Sequence, residues 1–592
     1  MIVHHIKTYK TIFLLALGLG VSQVNAQEKE EKKDKQDLGT EVVNVVKPYT
    51  PTISDAFKVK ATPKLNDSVN TTKKKVTYSI FSAPVASTFT PAKGKAAAVK
   101  KAPKLKLYDN YATIGFGSFT SVLAEFYSNF QISRTEDFGV FLNHNSSQGG
   151  IDNVRVDDFF YDTRLNLNYG ARERDFSWRT DLDVQHQVFN WYGISPTITD
   201  MGGVAGPILT DDFDVTHSYL TGAINGSVAF KDAIFKEGKA TVRYLTDSES
   251  SNELRAIIKP TIELPIAGEN ITTGFIVDYV NGSFANDFSP NIEETKHSIL
   301  NVGVNPSLVI LRDDLTVNLG VAGFVSMDSE NSNTDFFVYP RITASYRVVS
   351  DYFIAYAGLE GNLQQNSYYD FVQENPFVAP SLAITPTDQQ YDGYLGMKGK
   401  LSNSISYNLR ANYVAESNKA LFIFNPAQVA SSVAFLNGNS FSIVYDDVET
   451  LGVFGELNFD VNSNFKMKIN GQFNSYTTDN QEEAWNLPEL RASVFADYQI
   501  TQQWFAGINL FFVGERQDLL FANDPTDILA QPQVVTLDSY LDANAHVGYR
   551  FNDRLSAFGR VNNILNSDYQ KWVNYEVQGL QGMIGATYRF DF

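Results

Sequence analysis

The chain closes on Gly582-Met583-Ile584-Gly585-Ala586-Thr587-Tyr588-Arg589-Phe590-Asp591-Phe592, and the reading of this stretch decides the fold. Taken every second residue, one face is Ile584, Ala586, Tyr588, Phe590 and Phe592. The other is Met583, Gly585, Thr587, Arg589 and Asp591. A period of two is that of a β-strand, whose successive side chains point to opposite faces. Three aromatic residues on one face, ending on a terminal Phe, suit a strand whose apolar side meets lipid and whose rings sit at the membrane interface. As an open edge, so long and apolar a strand would invite aggregation, whereas a closed barrel has no edge. The stretch predicts an all-β fold, a transmembrane antiparallel β-barrel. Ile584, Tyr588, Phe590 and Phe592 form the membrane-insertion face of its last strand.

Working upstream, the same period recurs as far as Tyr108. Leu315, Val317, Leu319 and Val321 alternate with Thr316, Asn318 and Gly320. Ile405, Tyr407, Leu409, Ala411 and Tyr413 alternate with Ser406, Asn408, Arg410 and Asn412. Phe465, Met467 and Ile469 alternate with Lys466, Lys468 and Asn470. Lys and Arg on one face cannot sit in hydrocarbon cheaply, so that face lines a watery interior. Short polar turns fall at 134–137, 172–175, 312–314, 350–351, 403–404, 462–464, 501–503 and 552–553. Longer connections fall near 146–158, 190–216, 365–387, 415–440, 516–536 and 565–578. Short turns on the periplasmic side and long loops outside are the outer-membrane pattern, and the spacing predicts about 22 strands over residues 107–592. An even count places both ends of the barrel in the periplasm. Pro260, Pro306 and Pro340 fall inside predicted strands, toward the periplasmic side, and each requires a bulge or a strand end because proline cannot donate to a ladder.

Composition agrees. Hydrophobic residues make up 43% and the mean hydropathy is −0.20, too low for a helical membrane protein but suited to strands with one polar face. Aromatics at 13% suit interface girdles. The absence of Cys excludes disulfides, thiolate chemistry and Cys-bound metals. The net charge of −19 hides a split: residues 27–106 carry +9 from 17 Lys and 8 acids, and residues 107–592 carry −30. So acidic a body argues against a nucleic-acid partner, whose phosphates need cations.

Residues 1–26 read as a secretory signal peptide. Lys7 and Lys10 precede an apolar run from Ile12 to Leu19, and Val24-Asn25-Ala26 supplies a cleavage site. Residues 27–106 read as an extended Lys/Pro-rich periplasmic arm without a core of its own, either a flexible tail or a segment that meets the acidic lumen or a periplasmic partner.

The C-terminal third carries a family resemblance. Leu487-Pro488-Glu489-Leu490-Arg491 leads into a strand. Leu541–Phe551 (LDANAHVGYRF), the turn Asn552-Asp553, Leu555–Asn563 (LSAFGRVNN), Asp568-Tyr569-Gln570 and the closing strand follow in order. This order resembles the end of the barrel of TonB-dependent receptors. The resemblance implies a 22-stranded outer-membrane barrel that imports scarce ligands, driven by TonB. Members also carry an N-terminal plug domain larger than the 80 residues available here, so residues 27–106 amount at most to a reduced plug. Glu41, Val42, Val43, Val45 and Val46 resemble a TonB box, a segment that adds as a strand to TonB.

No catalytic, cofactor or metal site is predicted. The five histidines beyond the signal segment (His144, His186, His217, His297 and His546) lie on separate strands, and no metal-ligand spacing or phosphate loop occurs. Aromatic residues cluster in the external loops: Trp191-Tyr192, and Tyr368-Tyr369 with Phe371 and Phe377. They suit stacking on a ligand, contact with a partner protein, or packing of the loops on themselves. Two functions follow as expectations. The first is a transport barrel that passes or captures a polar, cationic ligand. The second is a docking subunit of a larger outer-membrane assembly, in which the arm recruits TonB or another periplasmic protein.

Overall fold

The computed structural model describes residues 107–592 apart from 153, 155, 195–213, 267, 287–293, 428–432 and 522–531. The signal segment, the arm and its residues Glu41, Val42, Val43, Val45 and Val46 lie outside the described residues.

Twenty-two antiparallel strands form one sheet that closes on itself. The first strand, Asn110–Gly117, pairs with the last, Gln581–Phe590, from Asn110↔Phe590 to Gly117↔Met583. Closure leaves every wall strand with two neighbours, which is what a bilayer demands of backbone N–H and C=O groups. The side chains sort as the alternation predicts. Ile584, Leu395, Ile224 and Leu451 point outward, with 58–74% of their surface exposed. Arg410 and Asp392, Arg164 and Asp183, and Lys468 and Glu456 pair inside the barrel. Stacked or tilted outward rings gather at the short-turn end: Phe130 with Phe592 (5.3 Å), Tyr169 with Trp178 (5.3 Å), Phe176 with Phe230 (5.6 Å) and Trp504 with Tyr549 (4.8 Å). They make the girdle expected where lipid gives way to water.

Inside, several rings lie flat against the wall over glycines of the next strand. A Cβ at Gly358 would overlap the Tyr394 ring, and one at Gly396 would overlap the Tyr356 ring. These glycines are required by close approach, since only a missing side chain lets an aromatic ring lie along the sheet.

Two expectations change. Residues 415–424 are strand, not loop: the fifteenth strand runs Ile405–Phe424, and its register shifts between Glu416 and Lys419. The bulge reverses the side-chain parity, so the second half of the strand loses phase with the first. The prolines are accommodated by one-sided gaps in the ladder. Pro260 and Pro306 pair on one flank only, with Gly238 and Thr273. Pro340 pairs with Val321, and rungs to the other neighbour begin one residue later, at Arg341↔Glu360. Pro340 lies in the middle of the strand Asn333–Val349 and not toward its periplasmic end.

Candidate functional site: a cap across the external end

The long connections do not stand free. One buried cluster joins Tyr219, Leu245, Val280 and Ile299 of the sixth to tenth strands with Phe422 and Phe441 of the fifteenth and sixteenth. It also takes in Trp572 and Tyr575, from the connection before the last strand. These residues come from three sectors of the cylinder, so they can meet only if loops cross its mouth. The crossing element is the connection 365–386.

Its first part is a helix, Tyr368–Glu374. Ser367-Tyr368-Tyr369-Asp370 has the form of a helix-capping sequence, and the Ser367 hydroxyl accepts from the Asp370 N–H at 3.2 Å. The orphan N–H groups of Tyr368 and Tyr369 donate to the two oxygens of Glu253, at 2.6 and 3.3 Å. Glu253 is on the wall strand Asn252–Ile266 and is buried, so the wall itself caps the helix. Beside it, Arg255 donates from Nε and Nη2 to both oxygens of Asp278, at 2.9 and 2.8 Å, and from Nη1 to Asp370 at 2.7 Å. The Arg243 guanidinium lies 3.7 Å over the Tyr369 ring. A forked guanidinium between two carboxylates fixes both distance and orientation.

The apolar face of the helix, Tyr368, Phe371 and Val372, turns into the cluster. Tyr368 meets Phe284 edge-on at 5.0 Å and donates its hydroxyl to Asp247 at 2.8 Å. Phe371 meets Phe422 at 5.9 Å. Beyond the helix, Phe377 stacks on Tyr575 at 3.8 Å, and Tyr192 closes on both edge-on. The loop then binds the far wall. Ala379 N–H donates to Phe441 O at 2.8 Å, Phe441 N–H donates to Phe377 O at 3.1 Å, and the Tyr445 hydroxyl donates to Ala383 O at 3.0 Å. Trp191 is buried against His217 (4.2 Å) and Phe435 (5.7 Å).

All six loop aromatics singled out in the sequence therefore belong to the cap. Trp191, Tyr368 and Phe371 are buried, and Tyr192, Tyr369 and Phe377 are half-buried against its core. Sequence reasoning missed the wall residues that hold them, Glu253, Arg255 and Asp278. Their signal was charge at inward positions in the external halves of two adjacent strands.

A second tie lies in the hairpin Arg516–Leu520 with Gln533–Leu537, outside the wall. Asp518 there is fully buried, and its Oδ1 accepts from the N–H groups of Phe424 (3.1 Å) and Leu519 (2.8 Å). Burial pushes its carboxyl up to about 7, against the opposing pull of its hydrogen bonds and of Arg516. Among the described residues, no three His, Asp or Glu side chains are grouped to hold a metal ion.

No protein-family model matches this chain, and no curated protein matches it. Solved structures do. The ferripyoverdine receptor of the Pseudomonas aeruginosa outer membrane, bound to ferripyoverdine, has 13% identity and a TM-score of 0.58, over 83% of this chain and 72% of that one. The ferric-catecholate import receptor Fiu of E. coli K12, in its closed form, has 12% identity and a TM-score of 0.59, over 82% of each chain. The FrpB iron transporter of Neisseria meningitidis has 10% identity and a TM-score of 0.59, again over 82% of each. With its closed ring of strands and its outward apolar belt, the chain has the fold of these receptors and importers: a closed antiparallel barrel of 22 strands.

Proposed function

We propose that this chain is an outer-membrane receptor-transporter that takes a polar, positively charged solute at its external end and admits it to the barrel by displacing the connection 365–386. The observation that carries this reading is the crossing loop itself, tied at one end to Glu253 and Arg255 and at the other to Phe441. A barrel of this strand number has a lumen wider than wall side chains fill, so a loop fastened across its mouth decides what enters. Residues 107–592 together carry −30, which favours cations over anions. Solved proteins with this barrel are receptors and importers of ferric complexes, which supports import as the task. In this reading the Lys-rich segment 27–106 is what TonB or another periplasmic protein grips, through Glu41–Val46.

Planar-bilayer recording tests it. The intact chain is expected to conduct little, and a variant with 365–386 replaced by a short Gly/Ser turn is expected to pass cations in preference to anions. A sealed variant, or one preferring anions, would count against the proposal. The basic arm on an acidic body favours a second reading, a docking subunit of a larger assembly. It predicts loss of a co-purifying periplasmic protein when residues 27–106 are deleted, with no change in conductance.

A further inference from the structure

The twelfth strand, Asn333–Val349, is paired along one flank up to its external end, where Asn333 meets Asp328. Its other flank is paired only from Arg341↔Glu360 downward. The thirteenth strand leaves at Gly361, where its ladder with the fourteenth shifts register, and runs on into the crossing loop. Its departure leaves Asn333–Tyr339 as a bare edge, and Pro340, which has no N–H, marks where the rungs stop. The edge is sealed on its inner side: Tyr339 packs with Leu363 and donates its hydroxyl to Asp388 at 2.7 Å. On the outer side Phe336 and Val338 are each 76% exposed, against 42% for Ile342 lower on the same face. That exposure is shared by outward residues of fully paired strands such as Ile584, so it marks an apolar outer face, and the open edge itself is shown by the missing rungs.

An unpaired edge of this length is what natural sheets cover or blunt with charge, and it cannot lie open at the border of hydrocarbon without loss. Here no Lys or Arg stands between Val325 and Pro340. The strip carries Asp328, Glu330 and Asp335 instead: Asp328 accepts from the N–H groups of Glu330 and Asn331, Asp335 accepts from the Asn333 amide, and Glu330 lies in the field of Lys296. Lys296, on the tenth strand, is held by Glu294 at 2.8 Å. Two apolar side chains beside an open backbone, under an acidic tip, describe a receptor for one kind of segment.

We propose that Asn333–Tyr339 is a docking edge for an extended segment of a second cell-surface protein, which adds as a strand, sets apolar residues beside Phe336 and Val338, and brings Lys or Arg to the acidic tip. Strand addition takes its affinity from main-chain hydrogen bonds and its selectivity from alternate side chains. The proposal is independent of what the barrel transports.

The test uses the full chain in nanodiscs and two labelled synthetic octapeptides, one alternating Lys with Val and one alternating Glu with Val, read by fluorescence anisotropy. The Lys peptide is expected to bind and the Glu peptide is not. Phe336→Pro and Phe337→Pro bracket the two flanks, so one of them removes an N–H from the open side. That variant is expected to weaken the Lys peptide by about tenfold or more, the equivalent of a few strand pairs. The double variant Glu330→Lys with Asp335→Lys leaves the ladder to the eleventh strand intact, and it should abolish the preference for Lys over Glu. Equal binding of the two peptides overturns the proposal, as does binding of neither. Lys-peptide binding that survives both proline variants also overturns it, because it would then be general attraction to an acidic body.

Discussion

The wall and the cap of this barrel are made by different physics. In the wall each strand meets two solvents, lipid and lumen, and a two-residue period satisfies both. Its interior face is polar and loosely filled, and rings such as Tyr356 and Tyr394 lie flat over glycines. In the cap, loops from distant strands enclose a core like that of a soluble protein, around Tyr368, Phe441 and Tyr575, fastened at its rim by buried ions. The wall can therefore hold its shape while the cap moves, since few of its rungs depend on cap contacts.

Replacing 365–386 with a short turn is the most severe way to break that contrast. Conductance in planar bilayers should rise on the order of tenfold or more, because a lumen of this strand number is not filled by its own wall. The belt and the heat stability of the barrel should be unchanged by circular dichroism.

Next comes the ionic tie. Arg255→Ala leaves Asp278 without its bidentate partner and loosens Asp370, and removing one member of a buried ion pair costs about 3–5 kcal/mol. Hydrogen exchange at the Tyr368–Glu374 amides should quicken sharply, while exchange in the last strand stays slow.

The carboxyl of Asp518 supplies a pH test. Its folded-state value of about 7 lies above the ordinary Asp range, so the folded cap favours the protonated form. The stabilising contribution is complete at acid pH below the ordinary Asp value and is lost as pH rises through 7. Its upper bound is about 4 kcal/mol. Cap amides such as Phe424 and Leu519 should exchange faster at pH 8 than at pH 5 beyond the intrinsic base dependence. Asp518→Asn should remove that excess, and the wall should show none of it.

The smallest effect belongs to the wall. Gly396→Ala drives a Cβ into the Tyr356 ring and within 2.6 Å of Leu409 O. The ring can swing into the lumen but the carbonyl cannot, so the cost is about 1–3 kcal/mol. Thermal unfolding in detergent should fall by a few degrees with the cap exchange pattern preserved.

These two regions were unequally legible. The wall could be read from residues 582–592 outward because its period is local: Leu409 and Arg410 already tell lipid from lumen. Where parity breaks, as between Glu416 and Lys419, the reading failed and a strand passed for a loop. The cap aromatics were visible as a composition, and Ser367-x-x-Asp370 marked a helix start. Their partners were not visible, since Glu253 is 115 residues from Tyr368 and Phe377 is far in sequence from Tyr575. Such contacts follow from closure of the ring, which no short window of sequence contains.

The seam between the first and last strands has a consequence for biogenesis. Asn110–Gly117 must wait, one flank bare, until Gln581–Phe590 has been made and delivered, since no other strand can take its place at the rung Thr113–Thr587. Whatever machinery inserts this chain has to shelter that waiting flank until the last strand reaches it. A chain cut ten residues short would form a sheet with two raw margins and no way to shut.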